Sequence, residues 1–197
     1  MSPAKRCLDI VAALVLLAVI SPLMLLVALG IRFTSPGAIL FRQRRHGWKK
    51  VPFEIFKFRS MYAECCSDPK VPQATSCDPR VTPVGRLIRR TSIDELPQLL
   101  NVLKGEMSLV GPRPHALVHD EKYLAELPSY GMRFAALPGL TGLAQVNGAR
   151  GETPTLAHMQ RRLLFDLEYI RTASLLLDIK ILFRTGVLVL TSRMNAY

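Results

Sequence analysis

The apolar positions of this chain fall into one long unbroken run and several short periodic ones. Ile10 to Ile31 carries no charged residue, and about 22 helical residues are enough to cross the hydrocarbon of a bilayer. Lys5 and Arg6 precede the run, as in a secretory signal. A signal's apolar stretch is shorter, however, and no small-residue cleavage pattern follows. A buried helix of a soluble core is disfavoured by this length and by apolar residues all round. Ser21-Pro22 stands mid-run. Proline removes a backbone donor and clashes with the carbonyl four residues back, so a kink or break is predicted. Basic residues flank both ends: Lys5 and Arg6 before, Arg32, Arg42, Arg44, Arg45, Lys49 and Lys50 after. A spanning helix would put one cluster on the outer side, against the positive-inside tendency. A helix that enters, bends at Ser21-Pro22 and returns keeps both clusters inside, and Ser21 could bond carbonyls freed by Pro22. Many spanning helices contain proline, so the residues alone leave both arrangements open.

Thr34-Ser35-Pro36-Gly37 is a turn cluster that ends this helix. Two strand-like runs follow, Ala38 to Gln43 and Pro52 to Arg59, with His46-Gly47-Trp48-Lys49-Lys50 between them, and a β-hairpin is predicted. Phe53, Ile55, Phe56 and Phe58 do not alternate cleanly, so both faces are expected to be covered. Ala63 to Pro83 is polar and reads as a long loop. Short helices are expected over Val84 to Arg90 and over Leu96 to Leu103, the latter stopping at Gly105, and another over Ala116 to Leu127 before Pro128. Leu137 to Gly151 is Gly-rich and reads as irregular. Leu156 to Arg171 has the pattern of an amphipathic helix. Leu175 to Leu190 is apolar but carries Asp178, Lys180 and Arg184; it is too short and too charged to span, and is expected to lie in the membrane interface.

The 197 residues allow one domain with a modest core. Lys and Arg number 26 against 15 Asp and Glu, a net charge of +11. Such a chain seeks anionic partners: nucleic acid, an anionic lipid surface or phosphate-bearing substrates. Cys7, Cys65, Cys66 and Cys77 form no CxxC pair. They read as free thiols in a reducing compartment, without the spacing of a zinc site.

The densest candidate for chemistry is Thr91-Ser92-Ile93-Asp94-Glu95-Leu96-Pro97-Gln98. Ser92 and Glu95 match a helix capping box. Pro97 would then be the fifth helical residue, where it costs a bond, so the first turn would be distorted. A strained turn bearing adjacent carboxylates near a helix N-terminus equally suits a metal and phosphate site. In Gly111-Pro112-Arg113-Pro114 the two prolines stiffen the backbone and aim the Arg113 guanidinium. Lys57-Phe58-Arg59-Ser60 puts two cations on one strand face, and Arg150-Gly151-Glu152 is followed by Arg162 and Asp166. The last two stand at i,i+4, most often a solvated helix face.

The order of these motifs resembles the bacterial sugar transferases known as monotopic phosphoglycosyl transferases. The likeness runs from about residue 4 to 192 through Lys5-Arg6-x-x-Asp9, Ser21-Pro22, Ser35-Pro36-Gly37, Lys57 to Met61, Asp94 to Gln98, Asn101-Val102, Met107 to Pro114 and Pro138 to Gly142. Gln145-Val146-Asn147-Gly148 with Arg150 to Thr153 looks most like the branch using UDP-glucose or UDP-galactose. Larger members carry extra membrane helices and another domain, so this chain is expected to be a minimal or shortened member. The resemblance implies transfer of a sugar-1-phosphate from a UDP-sugar to undecaprenyl phosphate, with Mg²⁺ and release of UMP, in exopolysaccharide, capsule or O-antigen-type synthesis. It also implies a re-entrant helix bent at Ser21 and Pro22. Asp94 would be the nucleophile, forming an aspartyl phosphosugar intermediate; Glu95 would help hold Mg²⁺ with Asp94 or orient the acceptor. Arg113 would bind the nucleotide or a phosphate, with Lys57, Arg59, Arg150 and Arg162 as lesser phosphate-binding candidates.

The expected fold is α+β and mostly helical. Residues 1–33 are a re-entrant anchor, and residues 34–197 are a β-hairpin and a small helical catalytic domain with an interfacial C-terminal helix. It would work at the cytoplasmic face of the bacterial inner membrane, with lipid but no nucleic acid as partner. Self-association through the Arg-rich hairpin is left open. Two rival readings are a non-enzymatic basic adaptor that binds anionic lipid or nucleic acid, and a lipid-phosphate hydrolase.

Overall fold

The computed structural model describes residues 2–65 and 78–191. Cys66 and Cys77, with most of the expected loop over 63–83, lie outside them; Cys7 is an exposed free thiol.

Helix α1 (Pro3–Thr34) starts with Ser2 as N-cap and a proline in its first turn, and ends where the Ser35 N–H bonds the Ile31 carbonyl. Of the expected kink or break, a break is excluded, because α1 is helical through Pro22. The reason is local. Proline deprives the Ala18 carbonyl of its usual donor, and the Ser21 hydroxyl donates to that carbonyl at 2.9 Å instead. α1 is the one helix, among the described residues, long and apolar enough to cross a membrane. Its buried residues lie only near its two ends: Asp9 and Ala13, then Val27 and Ile31.

Strands β1 (Leu40–His46) and β2 (Pro52–Phe58) form the expected antiparallel hairpin, with Leu40 opposite Phe58 and His46 opposite Pro52. Phe53, Ile55, Phe56 and Phe58 are all buried, so both faces are covered. Helices α2 (Pro83–Arg90), α3 (Gln98–Lys104), α4 (Leu117–Glu126), α6 (Leu156–Thr172) and α7 (Leu175–Leu190) fall where the patterns place them. α3 stops at Gly105, whose φ of 84° suits the left-handed exit that glycine makes without steric cost.

The stretch expected to be irregular is not. It contains β4 (Gly139–Thr141), paired in parallel with β3 (Ser108–Val110), and the short helix α5 (Leu143–Val146). The pairing brings backbones unusually close: a Cβ on Gly139 would stand 2.1 Å from the Gly111 nitrogen. Only glycine admits that approach.

One core cluster joins Ala13 of α1, Phe53 and Ile55 of β2, Leu99 and Val102 of α3, Leu109 and Val110 of β3, and Ile181 of α7. A second joins Val27 and Ile31 of α1 to Phe58 and Ile88. Polar contacts reinforce both ends. Arg6 donates to the carbonyls of Val102 (2.6 Å) and Leu103 (2.8 Å) at the C-terminus of α3. The buried Asp9 carboxylate accepts from the Leu109 N–H at 3.0 Å. Lys5 pairs with Asp178 at 2.7 Å and donates to the Val110 carbonyl. At the far end Arg59 is 4% exposed and donates to the Ser35 carbonyl, the Ser35 hydroxyl and the Pro36 carbonyl. Arg59, a phosphate-binding candidate by its motif, has its guanidinium at the exit of α1, donating to the protein's own Ser35 and Pro36.

Candidate active site

The turn bearing the two adjacent carboxylates is built by the end of α2. Ser92 has φ 60° and ψ 15°, a left-handed conformation uncommon for a residue with a Cβ. It is the residue just past the C-cap of α2, the position where helices commonly exit left-handed. Ser92 also stands at the N-cap position of the 3₁₀ turn that follows, but its hydroxyl caps no backbone N–H there. Instead it accepts from the Arg150 guanidinium at 2.8 Å. Ile93–Glu95 forms one 3₁₀ turn, and Pro97 precedes α3, so the missing proline N–H breaks no helix bond. The capping box is absent and a strained turn stands in its place.

That turn presents Asp94 and Glu95, respectively 8% and 6% exposed. Glu95 is held from three directions. Lys57 of β2 donates to Oε1 at 2.7 Å, Arg113 forms a two-pronged pair with both oxygens, and Arg150 lies 3.6 Å from Oε2. Asp94 makes no hydrogen bond among the described residues. Burial pushes its carboxyl up to about 6; the positive charge of Lys57 opposes this and the negative charge of Glu95 adds to it. Burial acts on Glu95 in the same sense, but Arg113, Lys57 and Arg150 outweigh it and hold that carboxyl well below the usual range. The two neighbours are thus divided into a clamped carboxylate and an available one. Burial lowers Lys57, with Glu95 opposing.

The supports are specific. Asn101 of α3 is fully buried; its side chain accepts from the Phe56 N–H at 3.0 Å and donates to the Glu54 carbonyl at 2.6 Å. This fixes the strand carrying Lys57 against the helix that follows the carboxylates. Arg113 leaves β3 through Gly111-Pro112, whose backbone is bonded to β4: Gly111 N–H to the Thr141 carbonyl and Gly139 N–H to the Pro112 carbonyl, both 2.9 Å.

The turn therefore gathers Lys57, Arg113 and Arg150 with Asp94 and Glu95. Arg59 and Arg162 stand apart. Arg162 is 3% exposed and donates to the carbonyls of Ala149 (3.0 Å) and Gly151 (2.8 Å). The expected solvated Arg162–Asp166 pair is also absent. Asp166 is buried and pairs with Arg133 at 2.7 Å, because α6 turns that face onto the chain around residue 133. Behind Arg113 lies a buried polar cluster that no local spacing announces: His46, His115, Asp120, Tyr130 and Arg133. Arg45 belongs to the same region; its Nη2 donates to Gln43, and burial with the charge of Arg113 lowers it to about 10.

A carboxylate pair set among more cations than it can neutralise suits an enzyme that handles anionic substrates, and comparison with known proteins agrees. The family model described as bacterial sugar transferase matches residues 1–192. A Caulobacter vibrioides protein named UDP-glucose:undecaprenyl-phosphate glucose-1-phosphate transferase is 56% identical over 194 residues, 98% of this chain and 72% of that protein. An Escherichia coli protein of the same name is 52% identical over 92% of this chain, which spans only 39% of that protein's length. A Rhizobium leguminosarum bv. phaseoli protein named exopolysaccharide production protein PSS is 45% identical over 95% of both chains. The chain is a transferase, and it belongs to the bacterial sugar transferase family.

Proposed function

We propose that this protein transfers glucose-1-phosphate from UDP-glucose to undecaprenyl phosphate and releases UMP, as an early membrane step of exopolysaccharide synthesis. The names carried by its relatives support the substrates. The observation that carries the chemistry is the division of the pair, with Glu95 clamped by cations and Asp94 buried beside it without a hydrogen bond among the described residues. An oxygen of ionised Asp94 attacks the β-phosphorus. As that P–O bond forms, the bond to the bridging oxygen breaks and UMP leaves with the electron pair. A phosphate oxygen of the lipid then attacks the same phosphorus, forms the lipid diphosphosugar and frees Asp94. Lys57, Arg113 and Arg150 stabilise charge that builds on the phosphoryl oxygens.

Magnesium fits this donor set as an ion shared with substrate. The described residues hold no group of three or more His, Cys, Asp or Glu placed to bind a metal ion by themselves. Mg²⁺ commonly takes one or two carboxylates and completes its shell with phosphates and water. Asp94 and Glu95 would hold it, and it would neutralise diphosphate charge.

For the membrane we propose that α1 dips into one leaflet and returns to the cytoplasmic face. Support comes from the packing of its two ends on the same domain: Lys5, Asp9 and Ala13 at one, Val27, Ile31 and Ser35 at the other. A crossing helix would put those ends on opposite sides. The middle is left bare, with Val15 57%, Val19 72%, Leu25 62% and Leu26 66% exposed. α7 shares the surface: Ile181 enters the core while Leu176, Phe183 and Leu190 are exposed, so it would rest in the interface.

The test is UMP release from UDP-glucose and other UDP-sugars in detergent micelles, with and without undecaprenyl phosphate. Multiple turnover that requires the lipid and favours UDP-glucose is expected. Turnover that ignores the lipid would mean hydrolysis, and no release from any UDP-sugar would sink the reading.

A further inference from the structure

Two of the arginines on Glu95 come from loops far apart in sequence, Arg113 from 111–114 and Arg150 from 147–152. Behind them one buried cluster grips both loops. Arg133 is 3% exposed; its Nη2 donates to the Arg113 carbonyl at 2.7 Å and to Asp166 at 2.7 Å, and its Nη1 donates to the Tyr130 hydroxyl oxygen at 2.9 Å. Arg162 donates to the carbonyls of Ala149 and Gly151, the residues on either side of Arg150. His115 joins the two arginines. The Tyr130 hydroxyl donates to Asp120 at 2.6 Å, and His115 Nδ1 lies 2.8 Å from the Tyr130 oxygen and 2.8 Å from Arg133 Nη1. His115 Nε2 lies 3.0 Å from Arg162 Nη1, so the ring stands between the two guanidiniums and, when neutral, accepts from one of them. Burial and the charges of Arg133 and Arg162 hold His115 well below its ordinary range, which keeps the ring neutral and the acceptor available.

We propose that Arg133, His115 and Arg162 form one positioning unit that sets Arg113 and Arg150 together against Glu95, and so fixes the spacing of the cations that receive the substrate's phosphates. The unit touches no substrate; it acts through the backbone of the two loops. This rests on the reading of the Glu95 cluster as the phosphate site.

The experiment is a pair of mutant cycles on the full chain. Arg162→Lys and Arg133→Lys keep a positive charge but lose the planar fork. Each is expected to lower kcat/KM at least about tenfold, the scale of one hydrogen bond from a charged donor. The Arg162→Lys loss should nearly vanish in an Arg150→Ala background, and the Arg133→Lys loss in an Arg113→Ala background, because a residue acting only through another has no effect once that other is gone. Full multiplicative losses, or none, would overturn the proposal. Amide hydrogen exchange judges it without activity. Arg162→Lys should lose protection at residues 147–152 while α3 and α7 keep theirs; unchanged or uniformly raised exchange would refute it. If the wild-type chain released no UMP from any UDP-sugar, the substrate reading would fail, and the exchange result would still decide this one.

Discussion

Asp94→Asn removes the charge that burial penalises and keeps the side chain's shape. The folded protein raises this carboxyl from 3.8 to about 6. At about 1.4 kcal/mol per pKa unit, the ionised carboxylate costs the folded state on the order of 3 kcal/mol at neutral pH. The raised pKa means that the folded chain binds the proton more tightly than the unfolded one. The proton's stabilising contribution is full below about pH 4 and is lost as pH rises through about 6. Asparagine is neutral throughout, so its advantage should grow between about pH 4 and pH 6, be complete above about pH 6 and vanish below about pH 4. For a chain of this size, 3 kcal/mol corresponds to a rise in Tm of about 6 to 12 °C. Thermal unfolding in detergent at pH 7.5 and at pH 4 measures it, and a UMP-release assay on the same samples should show no turnover. A more stable but inactive variant is what a buried nucleophile entails. A lower Tm at pH 7.5, or the same gain at both pH values, would refute the reasoning, as would retained turnover.

The wild-type kcat/KM should fall about tenfold per pH unit below pH 6 as Asp94 takes up its proton; a rate flat down to pH 5 would contradict this. Lys57→Ala should raise KM for the UDP-sugar, whereas Arg59→Ala should leave KM unchanged and cost stability by about 2 kcal/mol, read by denaturant unfolding. Lys5→Met strips the ammonium from Asp178, whose side chain is 2% exposed, and should destabilise the chain by about 3 kcal/mol. Chelation should abolish turnover and added magnesium should restore it. With the native cysteines replaced by serine, Ser2→Cys and Arg44→Cys should both label from the cytoplasmic side; labelling from opposite sides would restore a crossing helix.

The sequence shows most where the determinants are local. An unbroken apolar run, a turn cluster and alternating residues are enough to draw α1 and the hairpin, and the proline-serine pair even announces the Ser21 bond to Ala18. β3 and β4 escape because each is three residues long and their parallel pairing joins segments about thirty residues apart, which no periodicity records. The Ser92-x-x-Glu95 spacing fits a capping box equally well; what denies it is that Ser92 is already the left-handed exit of α2. Arg162 and Asp166 have the spacing of a solvated pair, yet their partners, His115 and Arg133, come from elsewhere in the chain. Lys57, Arg113 and Arg150 stand in separate sequence motifs and meet on Glu95, whereas Arg59, from the same motif as Lys57, lies at the exit of α1.

The central claim is that Asp94 carries the sugar phosphate between donor and lipid. Mass spectrometry of the enzyme mixed with UDP-glucose alone tests it most directly. A hexose-phosphate adduct on the peptide containing Asp94, lost on adding undecaprenyl phosphate and missing from Asp94→Asn, is expected. An enzyme that turns over normally with no adduct, or with one on another residue, would contradict it.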